Sequence, residues 1–212
     1  MKRSDIDYSV YLVTDRGLSK GRSNTEIVIA AVSGGATVVQ LREKTAGTRE
    51  FIQEALTLKD FLEKRGVPLI INDRLDVAQA IEADGVHLGQ NDMPIEMARS
   101  IVGDRMIIGI SAESLQDAIN AEQAGADYLG VSPIYATPTK TDTAPPLGLE
   151  GLREIRRSVA IPLVGIGGLN RENARQVIAA GADGVAVVSA IVSAENPESA
   201  ARELRRIVAE SR

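Results

Sequence analysis

The sequence contains no cysteine and no tryptophan, one histidine, and only four tyrosines and two phenylalanines in 212 residues. Without cysteine there can be no disulfide, no thiolate metal site and no thiol nucleophile. With few aromatics, and 29 acidic against 24 basic side chains for a net charge of −5, the chain has neither the stacking platforms nor the positive field of a nucleic-acid binder. No block of basic residues suits an anionic membrane surface. Long apolar runs are missing as well. The charge-free stretch Ile27 to Leu41 is broken by Ser33, Gly34, Gly35 and Thr37, and it falls short of the roughly 18 apolar residues of a membrane span. The segment Met1 to Asp7 carries Lys2, Arg3, Asp5 and Asp7 and leads into a short apolar run with no small-residue cleavage site, so no signal peptide is expected. Hydrophobic residues at 44% and charged residues at 25% exclude a disordered chain. The expectation is a soluble, cytoplasmic protein with small-molecule partners, neither nucleic acid nor membrane, and with homo-oligomerisation left open.

Short apolar, β-branched runs recur along the chain, each bounded by Gly, Pro, Asp or Asn. They are Val10–Thr14, Thr37–Arg42, Pro68–Asn72, Gly85–Leu88, Met106–Ser111, Tyr128–Ser132, Pro162–Gly165 and Gly184–Val188. Runs of this kind read as strands buried on both faces. Between them lie stripes at helical spacing: Phe51, Ala55, Leu58 and Leu62; Leu152, Ile155 and Val159; Ala174, Val177 and Ile178; Ala201, Leu204, Ile207 and Val208. Ala124-Gly125-Ala126-Asp127 repeats as Ala180-Gly181-Ala182-Asp183, 56 residues on, which is two strand–helix units. Eight such units in one domain spanning residues 1–212 predict an α/β fold, a (β/α)8 TIM barrel. A doubly wound open sheet shares the alternation, but Thr14-Asp15-Arg16-Gly17 stands where its Gly-x-Gly-x-x-Gly would follow the first strand.

Barrel active sites form at the C-terminal ends of the strands, and the unusual polar residues gather there. The second run ends Gln40-Leu41-Arg42-Glu43-Lys44. Alternation sends Gln40, Arg42 and Lys44 one way and Leu41 and Glu43 the other, so with Leu41 facing the helices the polar triplet enters the barrel mouth. The third and fourth runs end at Asn72-Asp73 and at His87 to Asp92. Asp73 and Asp92 can converge above the barrel as a carboxylate pair suited to Mg²⁺, though either could instead cap a helix. His87, inside its strand, reads as a packed, hydrogen-bonded residue. Ser111 could bind phosphate or cap the next helix. The 15-residue connection Pro133 to Leu147 holds four of the eight prolines and the run Thr137-Pro138-Thr139-Lys140-Thr141, the composition of an anion-binding lid. Gly167-Gly168 follows the seventh run and Val188-Ser189 ends the eighth, where barrels commonly hold phosphate. Two anion-binding arcs result, one suited to a metal-bound diphosphate and one to a monophosphate.

From Tyr11-Leu12-Val13-Thr14-Asp15 to Val187-Val188-Ser189-Ala190-Ile191, these motifs closely resemble the thiamine phosphate synthase family. Gln40-Leu41-Arg42-Glu43-Lys44, Ile71-Asn72-Asp73-Arg74, Asp84 to Gln90 with Asp92, Thr137-Pro138-Thr139-Lys140 and Ile166-Gly167-Gly168 carry the resemblance. It implies a Mg²⁺-dependent transferase joining 4-amino-2-methyl-5-hydroxymethylpyrimidine diphosphate to 4-methyl-5-hydroxyethylthiazole phosphate, which some members take in carboxylated form with loss of CO₂. By the same resemblance Gln40, Arg42, Lys44, Asn72, Ser111 and Lys140 bind the pyrimidine diphosphate, with Arg42, Lys44 and Lys140 catalytic. Asp73 and Asp92 hold Mg²⁺, and Thr137, Thr139, Gly168, Val188 and Ser189 bind the thiazole phosphate. Ser132 and Tyr135-Ala136 depart from the family's usual residues, which bears on thiazole selectivity. A thiazole tautomerase on the same barrel and a non-catalytic binder of thiazole or thiamine phosphates are the rival readings.

Overall fold

Strands rich in Val, Ile and Leu alternate with helices that each bury one apolar stripe. The structure is a computed structural model and describes residues 6–137 and 145–212. In chain order the elements are β1 (Val10–Val13), α1 (Asn24–Ser33), β2 (Val38–Leu41), α2 (Thr48–Glu63), β3 (Leu69–Asn72), α3 (Leu75–Ala80), β4 (Gly85–Leu88) and α4 (Ile95–Val102). There follow β5 (Ile107–Ala112), α5 (Leu115–Gln123), β6 (Tyr128–Val131), α6 (Gly148–Ser158), β7 (Leu163–Gly165), α7 (Ala174–Ala179), β8 (Gly184–Val187), the short α8 (Ser189–Val192) and α9 (Pro197–Ala209). Every strand pairs in parallel with its sequence neighbour, and β1 closes on β8. Closure establishes the (β/α)8 barrel and excludes the open doubly wound sheet.

Two apolar clusters divide at the sheet. The larger lies between strands and helices and takes all four predicted helix stripes. The smaller fills the barrel itself, with Tyr8, Tyr11, Val13, Ile70, Tyr128 and Val164 among its members. The barrel is therefore a packed core rather than a pore. Strand ends expected at Thr14 and Arg42 fall just past the ladders, because the sheet opens there. The Arg42 N–H donates to Thr14 Oγ1 at 3.0 Å, a side chain standing in for a neighbouring carbonyl.

The repeated Ala-Gly-Ala-Asp segment closes the opposite rim. Gly125 and Gly181 end their helices at φ +91° and +106°, a region that L side chains disfavour. Each following aspartate then receives a main-chain N–H of the preceding strand: Asp127 Oδ2 from Ile108 at 2.8 Å and Asp183 Oδ2 from Leu163 at 2.8 Å. Asp84, in the equivalent place before β4, receives Leu69 N–H at 2.9 Å. Arg99 from α4 pairs with Asp127 at 2.6 Å, and Arg156 from α6 with Asp183 at 3.3 Å. These carboxylates set strand register where the ladder begins. Asp127→Ala leaves the Ile108 N–H without its acceptor and takes the carboxylate from an Arg99 guanidinium that keeps its main-chain carbonyl partners, so a loss of about 2–3 kcal/mol is expected in urea denaturation. Asp183→Ala should cost less, since that carboxylate is half exposed to water. Equal losses would show that the ion pairs do not contribute.

Candidate active site

At the C-terminal mouth a cavity of about 300 Å³ opens, and each strand end contributes to its wall. Gln40, Arg42 and Lys44 enter it from β2, as alternation predicts. Their direction is locked from outside. Glu43 points away from the cavity, its side chain only 2% exposed, and receives Arg16 Nε at 2.7 Å. Arg16 also meets Glu50 and Glu54 of α2 at 3.1 and 3.2 Å. Asp15, which caps the short turn after β1 by accepting Leu18 N–H, holds Arg42 Nη1 at 2.8 Å. Lys44 Nζ lies 2.5 Å from Asp73 Oδ2. Both mouth cations are thus held by carboxylates that an incoming anion can displace them from.

Asp73 leaves β3 at φ +62°, in the left-handed region, with its N–H donating to the His87 carbonyl at 2.8 Å. A non-glycine residue there stores about 1–3 kcal/mol of strain, common where a side chain must be aimed. The turn carries the Asp73 carboxyl against that of Asp92. Burial and the adjacent Asp73 carboxyl push the Asp92 carboxyl above the usual carboxylate range, while the Gly89 N–H, donating to Asp92 Oδ2 at 2.7 Å, pulls the other way. Neither aspartate caps a helix: α3 and α4 begin after Arg74 and Pro94 without a side-chain cap. Ser111 does not cap either, since Ser114 fills that role for α5. Ser111 Oγ instead meets His87 Nε2 at 3.0 Å.

The opposite arc comes from β6, β7 and β8. Gly167 and Gly168 have φ of +99° and +66°, and a Cβ on either would collide with the Pro133–Ala136 segment. Ile134 and Tyr135 donate N–H groups to the Ile166 and Gly167 carbonyls at 2.9 and 3.0 Å, which zips the two loops together. The neck of the long connection closes through Leu147 N–H to the Pro133 carbonyl at 2.9 Å. Thr137, Gly168, Val188 and Ser189 line the cavity, the last opening α8. Thr139, Lys140 and the central part of the expected lid lie outside the described residues. Of the family departures, Ser132 lines the cavity, but Tyr135 turns out to Gln176 on α7 at 3.2 Å.

Every described residue expected at the site does line this one cavity. Sequence reasoning missed its floor, Tyr11 and Tyr128, and a wall residue, Glu113. The floor was legible in principle: Tyr11 and Val13 share the inward parity of Gln40, because Val13 is its register partner.

Residues 10–191 match the family described as thiamine monophosphate synthase. The chain belongs to the thiamine monophosphate synthase family. It is 57% identical over 203 residues to the thiamine-phosphate synthase of Chloroflexus aurantiacus, covering 96% of this chain and 94% of that one. It superposes on a thiamine phosphate pyrophosphorylase from Pyrococcus furiosus with a TM-score of 0.90 at 45% identity, covering 97% and 98% of the two chains. A 3-hexulose-6-phosphate synthase from Salmonella typhimurium, at 16% identity and TM-score 0.73 over 96% and 100%, shares the fold alone. As a member of the thiamine monophosphate synthase family the chain is an enzyme of the transferase class, and no described helix is long and apolar enough to cross a membrane.

The Asp92 environment carries a measurable consequence. A carboxyl whose value is raised on folding costs stability as pH climbs from the unfolded value through the folded one, and the cost persists above that window. Asp92→Asn keeps an acceptor for Gly89 and removes the charge. At neutral pH the ligand-free variant should melt higher than the parent, a gain that vanishes below about pH 4, where both carboxyl forms are neutral. Identical melting at pH 7 would show the carboxyl pair to be well solvated.

Proposed function

We propose that this enzyme condenses 4-amino-2-methyl-5-hydroxymethylpyrimidine diphosphate with 4-methyl-5-hydroxyethylthiazole phosphate, releasing thiamine phosphate and diphosphate, with Mg²⁺ as cofactor. The observation that carries the reading is the division of the mouth. Arg42 and Lys44 stand beside the Asp73–Asp92 pair on one arc, and a glycine-tight loop with Ser189 stands on the other. The first arc suits a diphosphate with a hard cation, the second a monophosphate.

The donor set fits Mg²⁺, which takes one or two carboxylates and completes its shell with water and phosphate oxygens. Two adjacent carboxyls, one held above its ordinary range by burial and by the other, make a place that a divalent cation relieves. Bound there, Mg²⁺ would neutralise charge on the diphosphate. Among the described residues no group of three or more carboxylate or histidine ligands is gathered in one place.

Arg42 and Lys44 would exchange Asp15 and Asp73 for the diphosphate oxygens, with Lys140 joining them by family resemblance. They stabilise charge on the leaving group as the bond from the exocyclic methylene to oxygen breaks and the electron pair departs with diphosphate. The pyrimidine-stabilised methylene cation is then captured by the thiazole nitrogen lone pair, forming the C–N bond. That attack needs no general base. The site fits this, since His87 is engaged at both ring nitrogens. Apolar Val13, Val164 and Ile166 in the floor and wall would keep water from the cation. A carboxylated thiazole would lose CO₂ after the bond forms, the electron pair left on the ring carbon taking up a proton from water.

Purified protein given both phosphorylated substrates should yield thiamine phosphate with Mg²⁺ and none with excess chelator. Turnover indifferent to chelator would remove the metal from the scheme. Lys140→Ala should lower synthase activity at least about a hundredfold, the scale of losing a transition-state charge partner. A thiazole tautomerase would be nearly indifferent to that change, and a binding protein would hold the ligands without turnover.

A further inference from the structure

Four hydrogen bonds run in series across the inside of the barrel. Gln40 Nε2 donates to the Tyr11 hydroxyl at 2.8 Å, and the Tyr11 and Tyr128 hydroxyls lie 2.7 Å apart. Tyr128 Oη is 2.9 Å from His87 Nδ1, and His87 Nε2 is 3.0 Å from Ser111 Oγ. The path links two residues of the cavity wall through two fully buried phenols. The backbone makes room for it. Gly109 stands between His87 and Tyr128 in the strand register, and a Cβ there would fall 2.1–2.4 Å from the Tyr128 ring and hydroxyl. Gly130 leaves space for the imidazole, whose Cε1 a Cβ would meet at 3.0 Å.

Such a chain has a polarity. An amide nitrogen can only donate, and a phenol has one proton. Having accepted from Gln40, Tyr11 uses its proton on Tyr128, and Tyr128 uses its own on the next acceptor. Burial pushes both phenols well above their ordinary range, so both stay protonated. The next acceptor is His87 Nδ1, which leaves the imidazole proton on Nε2. Ser111 Oγ then receives a hydrogen bond from His87 and keeps its own proton for the cavity. Run the other way, the chain would consume the serine proton on His87 and show an incoming anion only lone pairs.

We propose that Tyr11 and Tyr128 are positioning residues: the relay they form from Gln40 fixes His87 as its Nε2–H tautomer and so turns the Ser111 hydroxyl proton toward an anionic oxygen of the substrate. This rests on the synthase reading only in naming that oxygen as part of the diphosphate-bearing substrate. The relay itself is a property of the ligand-free protein.

The chain has one histidine, so protein labelled with ¹⁵N-histidine reports this imidazole alone. At about pH 8, above the ordinary histidine range, the ring should show a protonated Nε2 and an unprotonated Nδ1. Ser111→Ala should keep that tautomer, because the polarity is set from Gln40. Tyr11→Phe should lose it and give a mixture of both. Should that variant fail to fold, Tyr128→Phe cuts the path one step nearer the imidazole, with the same expectation. In steady-state assays Tyr11→Phe should raise KM for the pyrimidine diphosphate about three- to tenfold, the scale of one neutral hydrogen bond, and leave KM for the thiazole phosphate unchanged. An Nδ1–H imidazole in the parent protein, or an unchanged tautomer in the Tyr11 variant, overturns the relay even if the enzyme makes thiamine phosphate. An Nε2–H imidazole in a protein without synthase activity supports the relay while sinking the function assigned to the site.

Discussion

Glu43 is buried at the outside of the barrel mouth and clasped by Arg16, and the directions of Arg42 and Lys44 follow from that. Side chains on an extended segment alternate, so an outward residue commits both of its neighbours inward. Leu41 makes the same commitment one step earlier, deep in the outer core. Between them these two anchors turn Gln40, Arg42 and Lys44 toward the cavity, with the amide buried and the two cations still partly in water. Arg16 ties the arrangement to Glu50 and Glu54, so the loops after β1 and β2 and the first turns of α2 behave as one unit.

The cations are not left bare. Asp15 and Asp73 hold them until something more negative arrives, and the second of these carboxylates belongs to the pair best suited to a metal. A site prepared in this way is costly in isolation: Asp73 sits in a strained backbone region, and Asp92 is pushed above its ordinary range by burial and by its neighbour. Local strain and like-charge crowding of this kind concentrate where a protein acts on a ligand rather than where it merely folds. The opposite rim spends its carboxylates differently. Asp84, Asp127 and Asp183 receive strand N–H groups, so the two ends of one barrel use the same residue type for register and for chemistry.

Much of this was readable beforehand. The strands came within a residue or two of their observed ends, because a run of β-branched residues between turn formers has few other ways to fold. Helix stripes such as Phe51, Ala55, Leu58 and Leu62 were equally plain. The mouth residues were found because strand parity and position relative to the strand end are local quantities. The role of the Ala-Gly-Ala-Asp repeat was not legible. Its recurrence marked the unit, but an aspartate's partner is a strand N–H about 20 residues away.

Sequence alone determined the alternation of strand and helix, the inward parity of Gln40, Arg42 and Lys44, and a mouth rich in cations, carboxylates and glycine. These depend on near neighbours along the chain. The tertiary structure bore out the closed sheet that the eight units predict, and it decided that Asp73 and Asp92 meet instead of capping α3 and α4 and that Ser111 faces His87 instead of starting α5. It also decided that Tyr11 and Tyr128, 117 residues apart, share a hydrogen bond at the centre of the barrel. Closure brings strands remote in sequence within a hydrogen bond of one another, and no local pattern encodes which of their inward side chains will touch.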